Sequence, residues 1–232
     1  MLTISQRQLC LRTYGYYYKG EIDGIEGPQT KEAYANFQSD FGLVVDSIYG
    51  ENTEFALRCA IRILQYKLWQ RGYDLVLDGI VGNATLGAIE DYQSKNGLFV
   101  DKIVGPATFE QLGGRDLKWE ELPHFQPWEM ECPCCGMNNT NMAVMAVLEY
   151  IRSHYGDNSL IITSGDRCNN YNAKVGGIAG SMHTKGGAAD FYVLGVLVGN
   201  LLSFCEGLVN QGVISYTYTN NTNMNGVVHI NL

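Results

Sequence analysis

Two rhythms of apolar residues run along the 232-residue chain. In the first half they recur at helical spacing, as in Ala33 and Phe37 and again in Ala88 and Tyr92, which turns one side of each segment towards a core. Each of these segments follows a loop of one design, Asp23-Gly-Ile-Glu-Gly27 or Asp78-Gly-Ile-Val-Gly82. The aspartate favours a turn, the glycines allow unusual backbone angles, and the isoleucine between them is an apolar anchor. Pro28 suits an early helical position, while Gly42 and Gly97 stand where a helix would be capped at its C-terminus. Further on, Ala143 to Tyr155 keeps the helical period, Ile161-Ile-Thr163 reads as a strand running into a loop, and Gly226 to Leu232 reads as a short buried strand.

The first rhythm is a duplication. Asp23, Thr30, Ala33 and Phe37-Gln38 match Asp78, Thr85, Ala88 and Tyr92-Gln93 at a constant offset of 55 positions. Within each copy a weaker half-repeat follows after 23 residues, at Asp46-Ser-Ile-Tyr-Gly50 and Asp101-Lys-Ile-Val-Gly105. Such regularity marks duplicated structural units. The pattern resembles the three-helix peptidoglycan-binding domain family, with copies over 1–57 and 58–112, although Ser47 and Lys102 stand where that pattern usually has glycine. The resemblance implies a hold on bacterial peptidoglycan, with the Asp-Gly loops acting as fold determinants. In Tyr14-Gly-Tyr-Tyr-Tyr18, four tyrosines are too many to bury in so small a unit, so at least one ring should face solvent or a sugar. Gly113-Gly114-Arg115 opens a polar linker over 113–124, and the remaining segment is 125–232.

Composition narrows the class of function. A net charge of -8 argues against a nucleic-acid partner, which would normally demand a basic face. The longest apolar run, Val193 to Phe204, is broken by Gly195, Gly199 and Asn200 and falls short of the ~20 residues that cross a bilayer, so no membrane partner is expected. The first residues lack the charged start and apolar core of a secretory signal. Seven cysteines cannot all pair within one chain, which fits synthesis in a reducing cytoplasm. A monomer is expected.

The chemistry concentrates in Ser181-Met-His-Thr-Lys-Gly-Gly-Ala-Ala-Asp190, where an imidazole and a carboxylate lie seven positions apart around a glycine pair. A zinc ion that keeps a position open for water is usually held by three protein ligands of the His/Asp/Glu type. His183 and Asp190 supply two, and His229 in the last predicted strand is the candidate third. Arg167, on the loop after Ile161-Ile-Thr163, is a fixed cation able to grip a carboxylate with two parallel hydrogen bonds. Zinc with an arginine beside it suggests a peptidase.

These residues, with Thr163 to Asn172 and Gly176-Gly177, resemble the zinc-dependent D-alanyl-D-alanine carboxypeptidase family, which includes L-alanyl-D-glutamate endopeptidases of phage endolysins. The resemblance implies an α+β domain with a small antiparallel sheet behind the all-α half of two three-helix repeats. It implies zinc on His183, Asp190 and His229, with Arg167 steadying a substrate carboxylate or the oxyanion, and action on peptidoglycan stem peptides. A wall-directed enzyme without a signal peptide is also what a phage lysin looks like, made in the bacterial cytoplasm and released to the wall.

The chain departs from the family in one respect. The acidic residue often found three positions before the last histidine is replaced by Gly226, and Asn231 stands two past His229. The general base then falls to Asp166, Glu129 or Glu131, or the domain is a weakly active or non-catalytic binder. Cys132 and Cys135 form half of a four-ligand metal site, with Cys168 the sole thiol in a comparable loop. The family resemblance implies a structural contact or disulfide between these loops instead. His124 and His154 read as surface or packing residues.

Overall fold

A computed structural model describes residues 1–156, 158–219 and 226–232, which fall into two compact units, Met1–Asp116 and Leu117–Leu232. The first is all helical: α1 (Ile4–Thr13), α2 (Pro28–Asp40), α3 (Glu51–Trp69), α4 (Asn83–Lys95) and α5 (Pro106–Gln111). Helix α1 starts with a capping box in which Thr3 and Gln6 satisfy each other's backbone N–H groups. Helices α2 and α5 both begin on a proline at the first turn. Helix α3 runs without a break through position 57, so the two repeats share it. A short parallel bridge between Tyr14 and Val104 ties the end of α1 to the entry of α5, with Val104 N–H donating to the Thr13 carbonyl at 2.7 Å. Leu11, Phe37, Leu57, Ile61, Leu64, Ile89 and Phe109 fill the space between the helices.

Each half-repeat carries one buried glutamine that closes its loop. Gln8, Gln38, Gln65 and Gln93 each place the side-chain nitrogen 2.8–3.3 Å from three acceptors: the loop aspartate, an isoleucine carbonyl and a threonine hydroxyl. Each amide oxygen accepts the N–H of the residue after that aspartate, namely Gly24, Ser47, Gly79 or Lys102. The aspartates, Asp23, Asp46, Asp78 and Asp101, then accept the N–H of Ile25, Ile48, Ile80 and Ile103. These isoleucine N–H groups, followed by the glutamine amides, hold Asp23 and Asp46 below the usual carboxylate range. The eroded loops keep the same backbone: Ser47 and Lys102 sit at φ 59 and 62, in the left-handed region that Gly24 and Gly79 occupy at φ 72. Of the four clustered tyrosines, Tyr14 and Tyr18 are buried, Tyr17 is half-buried and donates to Asp40, and Tyr16 is the exposed ring.

The second unit is α+β. Helices α6 (Met142–His154), α7 (Asn169–Lys174) and α8 (Val198–Asn210) accompany strands β1 (Leu160–Ser164), β2 (Ala188–Val193), β3 (Tyr216–Thr219) and β4 (Val228–Asn231). The strands form one antiparallel sheet in the order β1-β2-β4-β3. On one face Leu160, Phe191, Val193, Val228 and Ile230 are buried; α6 packs against β2, and α8 against β2, β3 and β4. On the other face a single transverse row crosses all four strands, Ser164 beside Asp190, Asp190 beside His229 and His229 beside Tyr218. The period-2 alternation of a strand puts the apolar residues on one side and this polar row on the other. The broken apolar run from Val193 ends β2 and continues as α8, and no helix of the described residues is long and apolar enough to cross a membrane.

The positive φ at Ser47 and Lys102 costs each side chain about 1 kcal/mol. Ser47→Gly and Lys102→Gly should each raise unfolding stability by about 0.5–1 kcal/mol in denaturant titrations of unchanged slope. Gly79→Ala should lower it, because the added Cβ would lie 2.8 Å from the Arg58 carbonyl oxygen at a φ of 72. Gln65→Ala strands the Gly79 N–H and should cost roughly 2–3 kcal/mol.

Candidate metal centre

Three segments distant in sequence bring one donor atom each to a common point: His183 Nε2, Asp190 Oδ1 and His229 Nδ1 lie within 4.8 Å of one another. His183 sits on a 3-10 turn, Met182–Lys185, closed by Gly186 at φ 71. That position admits only glycine on two counts, since a Cβ there would also fall 2.0 Å from the Asn139 carbonyl oxygen. Asp190 on β2 and His229 on β4 are direct cross-strand partners, so the ladder itself sets their separation. Asp190 Oδ1 is 2.7 Å from His229 Nδ1 and 3.3 Å from His183 Nε2, and the two imidazole nitrogens are 3.3 Å apart.

The orientation of His183 follows from its other nitrogen. Nδ1 lies 2.7 Å from the Gly165 carbonyl oxygen, an acceptor, so Nδ1 carries the proton and Nε2 presents a lone pair to the centre. All three groups are buried. Burial alone would raise the Asp190 pKa, but the adjoining His183 and His229 rings prevail and hold its carboxyl far below the usual range. Lone pairs of two imidazoles and an ionised carboxylate converging on one point form a donor set that a cation satisfies, and zinc takes such a set with three protein ligands.

Arg167 stands beside this group. Its Nη2 donates to Asp190 Oδ2 at 2.5 Å and its Nε to Ser164 Oγ at 2.8 Å. Its partner is therefore Asp190 rather than the adjacent Asp166, and these bonds use two of the five guanidinium donors. Asp166 is buried and points the other way, accepting the N–H of Asn139 and, at 3.2 Å, the Thr140 hydroxyl. Desolvation pushes its pKa up against those hydrogen bonds. Its Oδ1 has no hydrogen-bond partner, and the His183 ring acts electrostatically on its carboxyl.

The other residues singled out in the sequence lie outside the converging group. Glu129 accepts the Gln126 N–H, and Glu131 is exposed. His124 is held by Glu149 at 2.7 Å, and His154 stacks on Phe204 at 3.8 Å. Two residues of the site had not been recognised. Ser164 carries the arginine, and Tyr218 places its ring 4.8 Å from the His229 ring while staying 40% exposed. Tyr216-Thr-Tyr-Thr219 has the alternation of a strand, a signal from which Tyr218 could have been found.

Comparison with known proteins gives the same division. Residues 3–57 and 60–112 each match the "Putative peptidoglycan binding domain" family, and residues 123–230 match the Peptidase M15 family. A zinc D-Ala-D-Ala carboxypeptidase of Streptomyces albus G is 32% identical over 151 residues, which cover 61% of this chain and 58% of that one. An autolytic lysozyme of Clostridium acetobutylicum is 36% identical over 106 residues, covering 40% of this chain and 32% of its own. The chain thus spans less than two thirds of the length of either relative. Helical half and metal-type site fall one to each matched segment: two segments that match the peptidoglycan binding domain are followed by one that matches the Peptidase M15 family.

Proposed function

We propose that this protein is a zinc-dependent peptidase of bacterial peptidoglycan, in which the N-terminal repeats hold the wall and the C-terminal domain cuts its stem peptides. The observation that carries this reading is the convergence of His183, Asp190 and His229, with Arg167 beside them, in a segment that matches the M15 peptidases. The likeness to a carboxypeptidase for D-Ala-D-Ala supports a substrate ending in a free carboxylate. An L-Ala-D-Glu endopeptidase and a place among phage endolysins remain within the same proposal.

His183 Nε2, Asp190 Oδ1 and His229 Nδ1 would hold the zinc. When bound, the ion polarises the scissile carbonyl and lowers the pKa of a water. The Gly165 carbonyl keeps the His183 ring turned to the site, and Asp190 shares its charge between the histidines on Oδ1 and Arg167 on Oδ2. The guanidinium, braced by Ser164, directs its remaining donors at the substrate carboxylate or the developing oxyanion. Among the acidic candidates for proton transfer, Asp166 has a buried oxygen without a hydrogen-bond partner and a carboxyl under the influence of His183. Because that carboxyl is tied to Asn139 and Thr140, away from the converging donors, its part in this reading is to position the Arg167 loop.

A second reading, a wall binder without turnover, draws on Gly226. Its φ of 90 is one that an acidic residue adopts only under strain, so the residue common there in relatives has no easy place. Purified cell walls separate the two. An enzyme clears their turbidity, loses the effect to a chelator and regains it with zinc, whereas a binder pellets with the walls and releases no peptide. Mass analysis of released peptides names the bond.

Replacing His183 or His229 by alanine should remove one equivalent of zinc and abolish turnover; full metal content in either variant would refute the ligand assignment. Arg167→Lys should leave metal content unchanged and lower kcat/KM by roughly 30- to 1,000-fold, about 2–4 kcal/mol for one lost transition-state contact. If Arg167 served only to neutralise Asp190, the melting temperature would fall while turnover per folded molecule held.

A further inference from the structure

A sulfur-rich corner of the C-terminal unit makes a second convergence, independent of the site above. The Sγ atoms of Cys132, Cys134, Cys135 and Cys168 all lie within 4.8 Å of one another. Cys134 and Cys168 are 3.2 Å apart, and Cys132 and Cys134 are 3.7 Å apart. Four thiolates at the ~2.3 Å zinc–sulfur distance occupy a tetrahedron whose edges are about 3.8 Å, the scale of these separations. A single disulfide would employ two of the four sulfurs and leave the approach of the other two unexplained, and all four cysteines are free thiols in the structure.

The backbone around the sulfurs is shaped for the same purpose. Cys132 opens a tight turn in which the N–H groups of Cys135 and Gly136 both donate to its carbonyl, at 3.3 and 2.9 Å, while its own N–H donates to Met137. That turn brings Cys132, Cys134 and Cys135 together in four residues. From the other side, the Cys168 N–H donates to Cys132 Sγ and the Tyr171 N–H to Cys168 Sγ, both at 3.3 Å. Such N–H groups stabilise thiolate over thiol. At Cys132, burial opposes ionisation, but the N–H groups of Cys168 and Cys134 bring the thiol down to about 6. Cys132 is buried, Cys168 half-buried, and Cys134 and Cys135 are exposed, so an ion has a route in. The remaining cysteines, Cys10, Cys59 and Cys205, are buried and lie outside the cluster.

We propose that Cys132, Cys134, Cys135 and Cys168 bind a second, structural zinc ion that clamps the 132–135 turn to the loop bearing Arg167. Each thiol that coordinates releases its proton, and with four sulfur ligands no position is left for water. The clamp acts one residue from Arg167, so it steadies the guanidinium that bonds Asp190 and Ser164.

The test is metal stoichiometry by native mass spectrometry and elemental analysis, on the full chain prepared under a thiol-free reductant. Wild type should hold two zinc ions, His183→Ala/His229→Ala one, and Cys134→Ser/Cys168→Ser one. Cobalt substitution adds a readout that needs no folded cysteine variant: thiolate-to-cobalt charge-transfer absorption should be present in wild type and persist in the histidine variant. The proposal is overturned if reduced wild type holds a single zinc that disappears in the histidine variant, if no thiolate-cobalt band forms, or if iron occupies the sulfurs. Loss of zinc from the histidine site alone leaves the sulfur reading untouched, so the two assignments fail separately.

Discussion

The second unit depends on one buried carboxylate. Asp190 is largely shielded from water, where an unpaired charge would cost several kcal/mol. It is compensated on both oxygens, by His183 and His229 on Oδ1 and by Arg167 on Oδ2. Each partner arrives on a different element, so the compensation requires the 3-10 turn, β4 and the loop after β1 to be in place together. The sheet register makes this possible, because Ser164, Asp190, His229 and Tyr218 occupy one transverse row. A one-residue slip of β4 would send His229 to the face where Val228 and Ile230 are buried, and would expose those two in its place. The same apolar packing that stabilises the sheet therefore sets the metal-type geometry.

The loops that surround the row are held by groups that take no part in it. Asp166 links the Arg167 loop to Asn139 and Thr140, and its N–H donates to the Met130 carbonyl at 2.8 Å. Asn139 in turn lies against Gly186, which closes the turn carrying His183. The segment 130–140 thus touches both loops that deliver site residues, and the cysteine cluster lies within that segment. A scaffold of this kind fixes side chains more narrowly than loops alone would.

The N-terminal unit relies on a different device, four glutamines that each close a loop through the same set of partners. The buried amide satisfies the loop backbone, and the loop in turn leaves no glutamine nitrogen or oxygen unpaired. The network is strict enough to hold Ser47 and Lys102 in a conformation that suits glycine. The gain from several hydrogen bonds exceeds the cost of one strained residue.

Much of this was legible in the sequence. The 55-residue offset, the Asp-Gly loops and the helical spacing pointed to the duplicated helical half, and the spacing of His183, Asp190 and His229 pointed to three donors that converge. Those signals are local or strictly periodic, and short-range geometry suffices to read them. Tertiary structure alone decided the rest. The partner of Arg167 is Asp190, 23 residues away, and not the adjacent Asp166. Gln8, Gln38, Gln65 and Gln93 became loop anchors, and Ser164 and Tyr218 joined the row. Cys168 met three sulfurs from a turn more than thirty residues earlier. Each of these pairings is set by which chain segments pack against one another, and even where a residue type recurs with the repeat or alternates along a strand, its spacing does not name the partner it meets.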